Sequence, residues 1–252
     1  MLGKLSDEAH IRFARVNPNP NSDLTERALA LLAEDEKQRY HRFHFAADRR
    51  SFLLAHALLR ICLSQYADVA PAQWRFVRTK HGRPEIAPEQ NPRDLRFSLS
   101  HAREAVACLV TRGCDCGVDI EAAERVAEPL RLAERFFAAT EVATLRGLHG
   151  KQQVDHFIRL WTLKEAYVKA RGMGLALPLS QYGFELGQAE ALSAKPGPEF
   201  DDARGLCQFL LLRPFPDQVL AAALRGERAQ QMQILAPVEE FDWRAALAPP
   251  PN

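Results

Sequence analysis

The sequence predicts an α+β protein, with helices and antiparallel strands both before and after about residue 112. Short stretches that alternate apolar and polar residues, as strands do, are separated by turn residues along the whole chain. Between them, residues 47–66 and 154–171 are long and apolar enough for helices. We therefore expect one half at 1–112, a second half at 113–247, and a disordered proline-rich tail at 248–252.

Two expectations about packing follow from the second half. Residues 129–148 are predicted to be helical, with Phe136 and Phe137 packed inward and Glu141 on the outer face. Short strands are then predicted to form a second antiparallel sheet, at 182–186, 207–212, 218–224 and 232–236.

Composition and charge are those of an ordinary globular protein. The chain has 252 residues, 47% hydrophobic and 26% charged, and is long enough to bury a sizeable core. Its net charge of +1 gives no general attraction to nucleic acid or membrane. The first fifteen residues carry charges where a signal peptide would be apolar, and no apolar run has the length of a membrane span. We therefore expect a cytoplasmic protein that binds neither nucleic acid nor membrane.

The helix predicted over 154–171 places Trp161, Glu165 and Lys169 in one row, because residues four apart lie on one face. Lys164 precedes Glu165, so this carboxylate is flanked by two lysines. Taken alone, such a run is most simply a solvated helix face with a Glu–Lys pair. Its functional interpretation is a carboxylate among cations that bind phosphate oxygens.

A strand predicted over 117–121 places Asp119 and Glu121 on one face, opposite Val118 and Ile120. The two carboxylates would lie about 6.5–7 Å apart along the strand. With Glu165 they would form an oxygen-only site suited to Mg²⁺, which usually also keeps waters and substrate phosphates as ligands. The alternative is an edge strand whose polar face lies in water.

A basic segment runs from residue 37 to residue 60 in this otherwise neutral protein. Its six basic residues accompany one acid, Asp48; they are Lys37, Arg39, Arg42, Arg49, Arg50 and Arg60. The segment is either a solvated helix face or a local anion-binding patch. A nucleic-acid interface is the rival interpretation, but it usually comes with a net basic domain or stacking aromatic residues.

Five motifs together resemble those of the Sfp-type 4′-phosphopantetheinyl transferases. In chain order they are Gly82-Arg-Pro84, Phe97-Ser-Leu-Ser-His101, Gly117-Val-Asp-Ile-Glu121, Arg135-Phe-Phe-x-x-x-Glu141 and Trp161-x-x-Lys164-Glu165-Ala-x-x-Lys169. Gly172-x-Gly174 follows, with Pro178 shortly after. Each motif is weak alone, but their order and spacing are specific, and the resemblance covers residues 37–186.

The resemblance implies an enzyme that transfers the 4′-phosphopantetheine arm of coenzyme A to a serine of an apo acyl, peptidyl or aryl carrier protein. Adenosine 3′,5′-bisphosphate would be the other product. It also implies two similar α+β halves related by a pseudo-twofold axis, with the active site in the cleft between them. Mg²⁺ or Mn²⁺ would be the cofactor. We expect a monomer that serves fatty-acid, siderophore or nonribosomal-peptide synthesis.

The resemblance further implies roles for individual residues. The metal ligands would be Asp119, Glu121 and Glu165, and Glu165 is also the candidate general base for the carrier serine. Lys164 and Lys169 would neutralise charge on the diphosphate of coenzyme A. The remaining contacts to coenzyme A would come from Arg50 or its neighbour Arg49 at the 3′-phosphate, from Gly82, Arg83 and Pro84 at the adenine and phosphate end, and from Ser100 and His101 at a phosphate.

Two alternative functions stay open at this point. One is a non-catalytic protein that binds carrier proteins, although the intact set of carboxylates and lysines argues against lost activity. The other is a nucleic-acid-binding protein that uses residues 37–60. Preference for coenzyme A over a single-stranded oligonucleotide would separate them.

Overall fold

Helices and antiparallel strands alternate along the computed structural model, which confirms the α+β class. It describes residues 5, 7–17, 22–102, 104–122, 126–174, 178–187, 192–196, 206–237 and 239–248. The predicted tail at 248–252 lies outside the described residues except for Ala248. The helices are α1 (Ser22–Leu31), α2 (Glu34–Arg42), α3 (Ala46–Ser64), α4 (Pro129–Phe136), α5 (Ala139–Arg146), α6 (Gly150–Arg171) and α7 (Trp243–Ala246). None of the helices described here is long and apolar enough to cross a bilayer.

The strands form two larger sheets and two separate pairs. The strands are β1 (Glu8–Arg15), β2 (Phe76–Arg78), β3 (Pro84–Ile86), β4 (Leu95–His101), β5 (Ala105–Arg112), β6 (Asp115–Ala122), β7 (Tyr182–Leu186), β8 (Leu192–Pro196), β9 (Cys207–Leu212), β10 (Gln218–Arg225) and β11 (Gln233–Leu235). The first sheet has the order β11-β1-β5-β4 and the second β6-β10-β9. β2 pairs with β3, and β7 pairs with β8.

The layers stack as helix, sheet, sheet and helix, because the central strands are apolar on both faces. On β5, Val106, Cys108 and Val110 pack against α3, while Ala105, Ala107 and Leu109 face the second sheet. On β10, Val219, Ala221 and Ala223 pack against α6, while Leu220, Ala222 and Leu224 face the first sheet. Each of the two larger sheets therefore packs one long helix on its outer face, and a shared apolar layer joins the sheets.

The expectation that the strands after residue 182 form one second sheet is wrong, because they belong to three different sheets. β11 runs parallel to β1, with Glu8 opposite Gln233, so it completes the first sheet instead. β7 pairs only with β8 in the part of the chain that the structure describes. α7 also returns to the first half, where Trp243 joins the core around α3. The alternating pattern identifies a strand but does not specify its partner.

The predicted helix over 129–148 is interrupted. Phe137 adopts an extended backbone with ψ 159° and ends α4, and α5 begins at Ala139. Glu141 is not on an outer face: it is 3% exposed, and its carboxylate accepts the N–H groups of Ala138 and Phe184 at 2.7 and 2.8 Å. The carboxylate thus caps α5 and fixes β7 beside it.

Candidate active site

Side-chain hydroxyls join the two sheets where β4 lies beside β6. The hydroxyl of Ser98 accepts the N–H of Val118 at 2.9 Å, and that of Ser100 accepts the N–H of Ile120 at 3.4 Å. β6 is an edge strand, and its buried N–H groups need such partners. We call these four residues the serine seam. Asp119 lies between the two bonded residues of β6.

Asp119 is 5% exposed, and its two carboxylate oxygens have different surroundings. Oδ1 accepts two hydrogen bonds, from the hydroxyl of Ser100 at 2.8 Å and from the ammonium of Lys169 at 2.8 Å. Oδ2 is buried and has no hydrogen-bond partner among the residues that the structure describes. Leaving a buried carboxylate oxygen without a donor is costly, so this atom is suited to binding a cation.

Helix α6 presents the predicted row to this point. Trp161, Glu165 and Lys169 are half-buried, whereas the residues between them are buried. The ammonium of Lys169 also donates to the carbonyl oxygens of Val118 at 3.0 Å and Leu99 at 3.5 Å. It therefore contacts both strands of the serine seam and the carboxylate between them.

The helix can approach β6 this closely because residue 117 is glycine. A Cβ atom at Gly117 would lie 1.9 Å from the carbonyl oxygen of Ala166. Any side chain there would displace α6, and with it Glu165 and Lys169, from Asp119. The chain leaves the helix at Gly172, whose φ of +65° forms the left-handed cap that glycine favours.

The three carboxylates of the predicted metal site influence one another. Burial and then the charge of Asp119 raise the pKa of Glu121 to about 7, although Lys169 and a hydrogen bond from Trp161 oppose the change. Burial and Asp119 also raise the pKa of Glu165, again against Lys169. Such crowding of carboxylates favours binding of a cation.

The carboxylate oxygens of Asp119, Glu121 and Glu165 fit a hard cation, but the described side chains do not complete its coordination sphere. No three acidic, His or Cys side chains among the described residues converge as closely as a complete metal site requires. Water or substrate oxygens would complete the coordination, as is usual for Mg²⁺. Among the described residues, Oδ2 of Asp119 is a buried carboxylate oxygen without a donor, so it could bind the ion directly.

A cavity of about 280 Å³ is lined in part by Lys169, whose ammonium bonds Asp119. The turn between β2 and β3 forms one wall, β4 a second, and the end of α6 a third. Its lining includes the predicted coenzyme A residues Gly82, Arg83, Pro84 and Lys169, together with Phe97 and Leu99. Arg83 also joins the two halves, because its guanidinium donates to the carbonyl oxygens of Ala170 and Cys116, both at 3.3 Å.

The start of α3 carries Arg49 and Arg50. Arg50 is half-buried, and its Nε has no hydrogen-bond partner among the described residues. Arg49 lies over the ring of Tyr40 at 5.7 Å. The free N–H groups of a helix start favour anions, so this turn is suited to binding a phosphate.

His101, at the end of β4, interacts electrostatically with charged residues of α3, β6 and α6. The residue is exposed at the surface, yet desolvation of its ring and the charges of Lys169 and His56 lower its pKa. Asp48 in α3 and Asp119 oppose that change. His101 is therefore close enough to α3 and to the end of α6 to feel the charges of both.

The geometry corrects the expected role of Lys164. Its ammonium is 0% exposed and lies 2.8 Å from Glu141 Oε2 in a buried ion pair. It also donates to the carbonyl oxygen of Leu179 at 2.9 Å. All of these partners are internal, so Lys164 does not reach the cleft. The motif that ends at Glu141 could have indicated this pair from the sequence, since a buried lysine requires an acidic partner.

Two further expectations are corrected because the side chains of Ser100 and Arg60 bond partners inside the protein. The hydroxyl of Ser100 is used inside the protein by Asp119 and Ile120, so it positions a carboxylate instead of contacting coenzyme A. Arg60 does not belong to a surface patch: it is 0% exposed and lies 2.7 Å from Glu36. Of the other basic residues of the segment, Arg39 and Arg42 are exposed, whereas Lys37, Arg49 and Arg50 are half-buried.

The sequence is similar to those of known 4′-phosphopantetheinyl transferases. Residues 115–222 match the model of the 4′-phosphopantetheinyl transferase superfamily, and residues 17–112 match that of the 4′-phosphopantetheinyl transferase N-terminal region. Identity is 37% to the 4′-phosphopantetheinyl transferase HetI of Nostoc sp., over 69% of this chain and 73% of that protein. It is 30% to the transferase Sfp of Bacillus subtilis, over 72% and 77%.

Solved structures of holo-(acyl-carrier-protein) synthases are also similar. The enzyme from Bacillus anthracis, in complex with CoA (3′,5′-ADP), is 18% identical with a TM-score of 0.37. The similarity covers 44% of this chain and 94% of that one.

Proposed function

The chain belongs to the family of 4′-phosphopantetheinyl transferases, which move the phosphopantetheine arm of coenzyme A to carrier proteins, and we propose how its residues perform this transfer. The observation that carries the proposal is the arrangement at Asp119. One oxygen is held by Lys169 and Ser100, the other is buried without a donor, and both lie where the two halves meet. A diphosphate in the adjacent cavity would bring its charge to this point.

We assign Asp119, Glu121 and Glu165 as the residues that would hold Mg²⁺, with Mn²⁺ as a possible substitute. Oxygen-only donors and the orphaned Oδ2 of Asp119 support this assignment. When bound, the ion would act as a Lewis acid on the diphosphate of coenzyme A.

In the transfer step, the serine oxygen of the carrier attacks the β-phosphorus of coenzyme A. The bond from that phosphorus to the bridging oxygen breaks, and adenosine 3′,5′-bisphosphate leaves. Lys169 stabilises the charge that grows on the leaving group, because its ammonium is already fixed at the junction. Glu165, one turn before it on α6, is our candidate to accept the serine proton.

Coenzyme A would bind across both halves. We place its adenine and phosphates in the cavity beside Gly82, Arg83 and Pro84. The 3′-phosphate would lie at the start of α3, with Arg50 as its main contact and Arg49 and His101 nearby. The protein would act in the cytoplasm, where coenzyme A is found, and as a monomer. The carrier could serve either fatty-acid or specialised peptide and siderophore synthesis.

Intact-mass analysis tests the proposal. Apo acyl and peptidyl carrier proteins are incubated with the enzyme, coenzyme A and Mg²⁺, and a gain of one phosphopantetheine mass is expected. Asp119→Ala should abolish the gain while the protein stays folded, with a lower melting temperature because Lys169 and Ser100 lose their bonds to Oδ1. Glu128→Ala is the matched control, since that exposed carboxylate pairs with the exposed Arg131.

Three results would contradict parts of this proposal. Near-normal turnover by Asp119→Ala would reject the metal assignment. Carrier binding without any mass gain in the parent protein would favour the non-catalytic alternative. Tight binding of single-stranded oligonucleotide in place of coenzyme A would favour the nucleic-acid alternative.

A further inference from the structure

We infer that Ser100 is a positioning residue: by occupying Oδ1 of Asp119, its hydroxyl reserves Oδ2 for the metal ion. This inference rests on the proposed function, because it concerns how the chain prepares its metal ligand. It also explains why a strand of the first half contributes a buried hydroxyl to a carboxylate of the second half.

The direction of the Ser100 hydroxyl is fixed by its surroundings. The residue is 6% exposed, and its oxygen accepts the N–H of Ile120 at 3.4 Å. A hydroxyl has one proton to donate, and here it goes to Oδ1 of Asp119 at 2.8 Å. The hydroxyl is therefore an oriented donor, held by the backbone of the same strand that carries Asp119.

The carboxylate of Asp119 needs this second contact to keep one orientation. Rotation about its terminal bond is soft, since such torsions lack sharp minima. Lys169, which is held by the carbonyl oxygen of Val118, could bond either carboxylate oxygen, because an ammonium is a point charge with rotatable donors. With Ser100 on the strand side and Lys169 on the helix side, both donors select Oδ1, and Oδ2 stays without a donor.

Ser98 provides an internal comparison. It lies two residues away on β4, is similarly buried at 7% exposed, and makes the same kind of bond to the backbone of β6. The bonds described for it do not include a carboxylate. Removing the Ser98 hydroxyl therefore weakens the serine seam alone, whereas removing that of Ser100 weakens the seam and releases Asp119.

Direct Mn²⁺ binding separates these effects. Free Mn²⁺ is measured by electron paramagnetic resonance during titration of each protein with saturating coenzyme A and no carrier. Ser100→Ala should weaken binding about tenfold or more, as is typical when a partner of a metal-ligating residue is lost. Ser98→Ala should stay within about twofold of the parent protein, and Ser100→Thr, which keeps the hydroxyl, should restore most of the affinity.

Thermal melts and coenzyme A affinity are measured on the same preparations. If Ser100→Ala does not fold, Ser100→Cys replaces it, because a thiol has similar size and is only a weak donor. Equal loss of Mn²⁺ affinity in the Ser98 and Ser100 variants would overturn the inference, as would unchanged affinity in Ser100→Ala or Ser100→Cys. Failure of the parent protein to bind Mn²⁺ would overturn the metal proposal and this inference together. Normal parent binding with unaffected Ser100 variants would overturn the inference alone.

Discussion

Lys169 contacts Asp119 directly, so its charge can be tested separately from its packing. Lys169→Met keeps most of the apolar stem and removes the ammonium. We expect kcat to fall on the order of 10²-fold, more than any rise in KM for coenzyme A, because the contact strengthens as the leaving group gains charge. Steady-state kinetics measure this, and Lys151→Met at the exposed start of α6 is the control.

A different result is expected if Lys169 only pairs with an acidic neighbour. In that case kcat would stay within about twofold, and the melting temperature would drop slightly, as for a weak ion pair. Such an outcome would remove Lys169 from the proposed mechanism.

Lys164 is predicted to act on stability instead. Lys164→Met leaves Glu141 as an uncompensated buried charge, which costs about 3–5 kcal/mol of unfolding free energy. Urea denaturation measures the loss. Adding Glu141→Gln to the same chain should recover part of it, since the remaining side chain is uncharged. Full stability of Lys164→Met together with a loss of kcat would instead return Lys164 to the cleft.

The packing of α2 against α3 makes the unfolding free energy of the protein depend on pH in the acid range. Burial alone would raise the pKa of Glu36, but the hydrogen bond and charge of His56, the charge of Arg60 and the N–H of Ala33 together lower it to about 2. The unfolded chain has the ordinary value of 4.5. The contribution is therefore complete above about pH 4.5 and is lost as the pH falls towards 2.

Urea denaturation at pH 6, 4 and 3 checks this dependence. We expect the unfolding free energy of the parent protein to fall on the acid side, and Glu36→Gln to reduce the difference between pH 6 and pH 3. An unchanged difference in Glu36→Gln would assign the acid sensitivity to other carboxylates.

Local periodicity predicted the elements well and their partners poorly. The row of Trp161, Glu165 and Lys169 follows from helical spacing alone, and the structure has it. The same spacing could not show that Lys164 points at Glu141, because that depends on how α5 packs on α6. Ser100 is similar: the strand pattern gives its face, but only the meeting of the two sheets places Asp119 beside it.

The halves are also joined at the far edge of the first sheet, by β11. The N–H of Gln233 donates to the carbonyl oxygen of Asp7 at 2.8 Å, and the side chain of Gln233 is exposed. Gln233→Pro should therefore lower the unfolding free energy by about 1 kcal/mol, because proline has no N–H to donate to Asp7. Gln233→Ala, which keeps the N–H, is the control.

Thermal melts followed by tryptophan fluorescence measure this change. Because the apolar layer between the sheets is shared, we expect one transition in both variants, shifted only for the proline. Two separate transitions in Gln233→Pro would show that the halves unfold independently and that β11 is their main connection.

The pairing of β1 with β11 has a consequence during translation. β1 is synthesised before β6, β9 and β10, but β11, which covers one edge of β1, is synthesised after them. Until then that edge of β1 is open, and an open strand edge is where nascent chains pair wrongly with each other. The first sheet is thus complete only once the strands of the second sheet have been made, so the risk of wrong pairing should last through their synthesis.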